Sequence, residues 1–391
     1  MIRLLTAGES HGPGLTVILD GLPAGLEVSL DAVNDDLRRR QGGYGRGGRM
    51  AIEKDEARVT GGLRFGRTMG GPLCLLLENR DWPSWAEAMR VAAGPEPDEA
   101  ARRRVRAPRP GHADLAGALK HDTYDARDVL ERASARETAA RVAAGGVLRQ
   151  FLKHFGIEVA SHTLAVGDVA MPGGTELPWE AIVSIPPDSP MRCADASVEP
   201  RMIAAVDRAR AAQDSVGGAF QVVARGVPPG LGSCRQWDTR LEARLGQALL
   251  SIQGVKGVEI GEAVAGAALP GSKVHDEIDY DAEARRFRRA TNRAGGIEGG
   301  MSNGEEVRAT AWLKPLSTLP RPLRTVDLET KRPALAAVER TDTCVVPAAG
   351  VIGEAMTSLV LAEAFLEKFG GDAMEETARN HRAYLARLEA Y

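Results

Sequence analysis

Aromatic residues make up only 4% of the 391-residue chain, which argues against the stacking platforms that hold nucleic-acid bases. The four cysteines are Cys74, Cys193, Cys234 and Cys344, and none belongs to a CxxC pair, so zinc and dithiol chemistry lack their usual spacing. Scattered thiols in a long chain suit a reducing cytoplasm. An excess of charge is also missing: 50 lysines and arginines face 53 aspartates and glutamates, a net charge of −3. A nucleic-acid binder usually carries a domain-wide basic bias. No apolar run stands out at membrane-spanning length, and the opening MIRLLTAGESH lacks the apolar core of a signal peptide. A cytoplasmic protein without membrane contact is expected. There is no Walker loop, nucleophile elbow or GxGxxG at a strand–helix junction. No two histidines have metal-ligand helical spacing, so no metal site is expected. With 43% hydrophobic and 26% charged residues, the composition is ordinary and globular, with ample length for a core.

Against this neutral background, residues 38–49 read RRRQGGYGRGGR, with five arginines and five glycines in twelve positions. One reading is a disordered RGG-like, RNA-binding tail. The other is an ordered anion site, where glycine lets backbone approach a ligand and guanidinium forks grip carboxylates and phosphates. Positive charge this local in a net-acidic chain suits a small anionic ligand better.

The chain also echoes itself. Ser10–Leu26, SHGPGLTVILDGLPAGL, and Ser215–Leu231, SVGGAFQVVARGVPPGL, share seven of seventeen residues without gaps. Each reads as a strand closed by a Pro–Gly turn. Glu131–Arg132 precedes a helical pattern ending in LKHFG, and Glu339–Arg340 precedes one ending in LEKFG. Val142, Val147, Phe151 and Leu152 approximate one apolar helical face, and Ile352, Met356, Leu359 and Val360 another. Two related αβ halves follow, about 1–160 and 205–391, joined by a proline-containing excursion over 161–204. They would pack as one pseudo-symmetric α+β unit with helices buried against sheets. In the repeat, His11 faces Val216, and the arginine–glycine run has no counterpart. The chemistry is therefore concentrated in one half.

Candidate reactive residues lie in glycine-framed or loop settings. GESHG places His11 between glycines, and RPGHADL places His112 at a turn tip before a helix start; histidine is the natural proton donor near neutral pH. ERASARE fits a capping box with Ser134 at the cap, and a helix N-terminus offers N–H groups to an anion. GGIEGGMSNG is a glycine-dense loop that leads into a strand-like VRATAWL and then KPLST, whose lysine and hydroxyls suit a phosphate. ERTDTCVVPAAG carries Arg340 and Asp342 ahead of the last long helix, as an exposed ion pair or as an acid–base carboxylate beside a charged anchor. Together these parts fit elimination from a polyanion: arginines hold it, a histidine protonates the leaving group, and electrostatics stabilise the transition state.

Taken in order, GESHG, RRRQGGYGRGGRM, RPGHADL, ERASARE, GGIEGGMSNG, KPLST and ERTDTCVVPAAG closely resemble the chorismate synthase family over residues 8–350. The resemblance implies a β–α–β sandwich, usually a homotetramer. It implies a carbon–oxygen lyase of aromatic amino-acid biosynthesis that converts 5-enolpyruvylshikimate 3-phosphate to chorismate and phosphate. The reaction is a 1,4-anti elimination that needs reduced FMN without net redox change. His11 would protonate the departing phosphate, His112 would serve the flavin, and Asp342, with Arg340 beside it, would assist proton removal. Arg40, Arg46 and Arg49 would bind the substrate, and Arg40 and Arg46 are also associated with NADP. Arg132, Ala133, Ser134, Gln253, Gly254, Gly299, Lys314, Pro315, Leu316, Ser317, Thr318 and Arg340 would contact FMN. Ala133 and Thr341 stand where serine is usual, so position 133 offers no side-chain hydroxyl. The absence of an obvious long insertion favours an outside flavin reductase over reduction by the protein's own use of NADPH. An RNA-binding protein would instead show salt-dependent retention on nucleic acid, and a flavin oxidoreductase would show net redox turnover.

Overall fold

The computed structural model describes residues 2–48, 52–95 and 98–391. Four antiparallel strands form a first sheet: β1 (Arg3–Ala7), β2 (Gly14–Asp20), β3 (Ala57–Gly61) and β4 (Leu73–Glu78), in the order β1-β2-β4-β3. A second antiparallel sheet contains β5 (Glu158–Val166), β6 (Val169–Ala170), β7 (Gly218–Arg225), β8 (Val255–Ile260) and β9 (Val307–Leu313), in the order β8-β9-β7-β5-β6. Helices lie between the sheets. α1 (Leu30–Gln41) and α4 (Thr138–His154) cover the first sheet, and α6 (Leu241–Leu250) and α7 (Val346–Phe369) cover the second. The short α2 (Asp114–Lys120) and α3 (Arg127–Ala133) lie toward one end. α5 (Glu199–Ala211) packs beside the β5–β6 edge, and α8 (Met374–Glu389) contacts α7. The chain thus has the expected α+β, β–α–β sandwich.

The patterning explains the layers. In β2, Leu15, Val17 and Leu19 alternate inward and lie opposite Leu77, Leu75 and Leu73 of β4, and all six are buried. Each such side chain contributes about 1.5–3 kcal/mol. The outward row differs: Leu5, 65% exposed, pairs with Ile18, 37% exposed. α4 is buried nearly all round because it lies against α1, α7 and β2. Its Gly145 permits this contact, since a Cβ there would come within 2.3 Å of the Ala355 Cβ on α7. On α7, a Cβ on Gly353 would come within 2.5 Å of the Phe220 ring of β7.

Two expectations change here. α7 is long and apolar enough to cross a membrane by length and composition, so the absence of any such run does not hold; it is the buried core helix of the sandwich. Residues 158–166, across the expected boundary at 160, form β5 in the second sheet, so the excursion proper starts after this strand.

One carboxylate interrupts the apolar α7. Glu354 is 1% exposed and accepts from Arg39 Nη1 and Nη2 and from Ser161 Oγ, each at 2.7 Å. Arg149 and Arg192 approach it at 3.3 and 3.4 Å. Burial pushes its carboxyl up, but the Arg39 and Arg149 charges outweigh burial and hold it down at about 2. Glu354 thereby ties α1, α4, β5 and the Arg192 loop to one turn of α7.

Candidate functional site

A cavity of about 600 Å³ opens where loops from both sheets meet the first turns of α4 and α7. The turn between β1 and β2 supplies Ser10 and His11, and the end of α1 supplies Arg40. The glycine loop supplies Arg46, Gly47 and Gly48, and the α3–α4 junction supplies Ala133 to Arg136. The segments after α6 and β9 supply Gln253, Gly254 and Lys314 to Thr318. Residues 339–342 close one side. The glycine loop is folded, not tail-like: Tyr44 N–H donates to Pro190 at 2.7 Å, and Thr343 N–H to Gly45 at 2.7 Å.

His11 is 7% exposed and doubly held by one carboxylate. Its Nδ1 lies 2.8 Å from Glu131 Oε1, and its backbone N–H donates to Glu131 Oε2 at 2.7 Å. Its ring stacks on Trp85 with centroids 3.9 Å apart. Burial pushes the Glu131 carboxyl up, but the hydrogen bonds from His11 and the Arg127 charge win and hold it below the usual range. His112 is held more locally, with Nδ1 2.6 Å from Asp114 Oδ1. Asp114 also accepts from Arg109 Nε at 2.8 Å and from the Arg109 backbone N–H at 3.0 Å. Burial opposes ionisation of Asp114, yet hydrogen bonds from His112 and Arg109 hold it well below the usual carboxylate range. Arg109 reaches on to Thr318 Oγ1 at 2.7 Å.

Arg40 spends three of its five N–H groups on Thr138 Oγ1 at 2.9 Å, the Ala135 carbonyl at 2.9 Å and Asp55 at 3.4 Å. Burial lowers it to about 9, with Asp55 opposing and Arg136 and Arg46 adding to the shift; it stays cationic at neutral pH. Asp342 accepts from the Gly47 N–H at 2.5 Å and lies 3.5 Å from Arg46. Arg340, expected beside Asp342, pairs with Asp81 instead. Ser134 caps the turn Ala135–Glu137 through the Arg136 N–H at 3.2 Å and shares a 3.0 Å hydroxyl contact with Ser10. The reciprocal half of the capping box is absent, because Glu137 binds Arg141 and Thr6.

Most of the predicted site residues therefore line one cavity: His11, His112, Asp342, Arg40, Arg46, Ala133, Ser134, Gln253, Gly254, Lys314 to Thr318 and Arg340. Arg132 points elsewhere, donating to the Thr6 carbonyl at 2.8 Å. Gly299 lies in the hairpin turn between Ile297–Glu298 and Met301–Ser302, away from the lining. Arg49 falls outside the described residues. Sequence reasoning passed over Arg109, Glu131 and Trp85. Arg109 was visible as a cation within RPGHADL and Glu131 as the first residue of ERASARE; Trp85 carried no local signal. Among the described lining residues, seven are arginine or lysine and two are carboxylates.

Such an arrangement, a cation-rich cavity with two carboxylate-held histidines inside a β–α–β sandwich, suits the binding of an anionic ligand. The sequence profile of chorismate synthase matches residues 2–366. The chain is 55% identical to the chorismate synthase of Solibacter usitatus (strain Ellin6076), with 100% of each chain covered. It is 52% identical to that of Symbiobacterium thermophilum, with 99% of each covered. A crystal structure of chorismate synthase superposes with a TM-score of 0.80 at 38% identity, covering 100% of this chain and 99% of that one. The chain belongs to the chorismate synthase family, whose members are carbon–oxygen lyases.

Proposed function

We propose that the chain eliminates phosphate from 5-enolpyruvylshikimate 3-phosphate in a 1,4-anti sense, giving chorismate in the cytoplasm with reduced FMN bound and no net redox change. The seven-to-two excess of cationic lining residues carries this reading, because the substrate holds two carboxylates and a phosphate. A ring C–H bond breaks and its pair forms a new double bond, the existing ring double bond shifts to the carbon that bears phosphate, and the allylic C–O bond breaks with its electron pair leaving on phosphate. His11 supplies a proton to the departing phosphate oxygen. Arg40 and Arg46 gather the anions. Asp342, oriented by Arg46 and the Gly47 N–H, assists proton removal.

The residues fit a flat, polar cofactor. Gln253 Oε1 is buried without a hydrogen-bond partner. Gly254, at φ +88°, leaves open space where a Cβ would project, its nearest contact being 4.0 Å away. Lys314 Nζ stands over Gly111, donating to its carbonyl at 2.6 Å. Ala133, Ser134, Gln253, Gly254, His112, Arg340 and Lys314 to Thr318 would hold FMN; Arg132 and Gly299 are not among the lining residues. When bound there, reduced FMN would supply electron density to the reacting ring. The reductant comes from an outside reductase, with NADPH acting indirectly, although Arg40 and Arg46 could also meet NADP. The exposed Leu5–Ile18 row supports assembly into a homotetramer. Anaerobic turnover with chemically reduced FMN, with and without NADPH, tests the reading: stoichiometric phosphate and chorismate at constant flavin reduction support it, and net substrate oxidation or reduction would overturn it.

A further inference from the structure

The clamp on His11 is more elaborate than a cap or a loop contact requires. Both oxygens of one carboxylate engage the same residue, Oε1 the ring and Oε2 the backbone, with Arg127 sharing Oε1 at a longer 3.4 Å. The Glu131 carbonyl also accepts from the Ser10 N–H at 3.1 Å. Residues 10 and 11 are thus tied to α3 at three points. Trp85 closes the stacked face, its Nε1 donating to Asp81 at 3.2 Å and its ring carrying the Arg103 guanidinium 4.0 Å from the centroid.

We infer that Glu131 is the positioning residue of His11: it keeps the ring proton on Nδ1, turns Nε2 to the substrate and balances the charge of the protonated ring. The inference rests on the reading of His11 as the proton donor. Other charged groups face this pair. Arg127 lies 3.4 Å from Glu131 Oε1 and 2.8 Å from Glu339, and Asp81 pairs with Arg340. Without the Glu131 charge, Arg127, 3.4 Å from Glu131 Oε1, would be left as an uncompensated cation near a protonated His11. A carboxylate behind a working imidazole commonly serves both ends, orientation and charge.

The test uses the full chain with reduced FMN. Glu131→Gln keeps shape and removes charge, and Glu131→Asp keeps charge and shortens reach. Single-turnover phosphate release is followed across pH, substrate affinity by calorimetry, and the His11 ring by nitrogen NMR. Glu131→Gln is expected to slow turnover about ten- to a hundredfold with substrate affinity retained. A general acid works protonated, so activity fades as pH rises; losing the carboxylate moves that upper limb to lower pH. Glu131→Asp restores part of the rate and of the limb. The double variant with His11→Ala is no slower than His11→Ala alone. A slow His11→Ala beside a Glu131→Gln with unmoved pH limb and ring signature overturns this inference alone. Full turnover in His11→Ala overturns the underlying reading and the inference with it.

Discussion

The two histidines of the cavity are held by the same chemistry at different ranges. His112 finds its carboxylate two residues away, on the first turn of α2, and shares it with Arg109 of the same turn. His11 finds its carboxylate 120 residues away on α3, and lies against an indole from a third segment. The first clamp forms wherever RPGHADL folds its own turn. The second exists only when the first sheet, α3 and the Trp85 segment are assembled together. A local clamp orients a side chain; an assembled one also makes activity report on the integrity of the fold.

Removing each histidine tests this contrast most directly. His11→Ala is expected to lower turnover by about two to four powers of ten, the scale of lost general-acid help, measured as phosphate release. It also leaves a buried Glu131 carboxylate short of a partner, so thermal unfolding should show a loss of about 1–3 kcal/mol. His112→Ala should leave stability closer to wild type, since Arg109 still satisfies Asp114. Equal stability losses would erase the distinction between the clamps.

Asp114→Asn comes next. It breaks a fully buried pair with Arg109, and a cost of about 3–5 kcal/mol is expected in urea unfolding. Arg46→Ala should weaken substrate binding by about 1.5–3 kcal/mol in calorimetry, and it also frees Asp342 from a neighbour. The smallest effect is in pH. Glu131 and Asp114 both titrate below their ordinary range in the fold. Their stabilisation is therefore complete above the unfolded carboxyl range near pH 4 and is lost as pH falls through the folded values. Between pH 5 and 8 these two groups should leave the urea midpoint unmoved; in more acid solution the Glu131→Gln variant should show a shallower fall than wild type.

What was legible in the sequence follows the same division by range. His11, His112, Arg46 and Asp342 stood out because glycine framing and local charge are properties of short segments. Ser134 was readable as a cap, and Asp114 lay inside a quoted motif. The partners were not readable. Arg340 looked like the neighbour of Asp342 from a two-residue spacing, yet it reaches Asp81, while Arg46 from the glycine loop takes Asp342. Glu131 headed the quoted ERASARE, but nothing local tied it to His11, and Trp85 carried no local pattern, because their meaning comes from which loops the sandwich gathers at one end. β5 straddles the expected boundary near 160 because its place is set by pairing with β7 and β6, which the local sequence does not display. We read the two halves as a duplication; in the fold, the strands of the two echoed segments, β2 and β7, lie in different sheets.

Glu354 is not among the residues lining the cavity, yet it reaches the cavity through geometry. An all-apolar α7 packed on small residues could rotate or slip along its axis at little cost, since one methyl surface resembles the next. A charge locked between Arg39, Arg149, Arg192 and Ser161 has one acceptable azimuth and one acceptable height. Val345, Ala348, Ala349 and Ile352 on the turns just before it form part of the cavity wall. The buried carboxylate therefore acts as an indexing pin: it sets the phase of the helix, and the shape offered to the substrate inherits that phase.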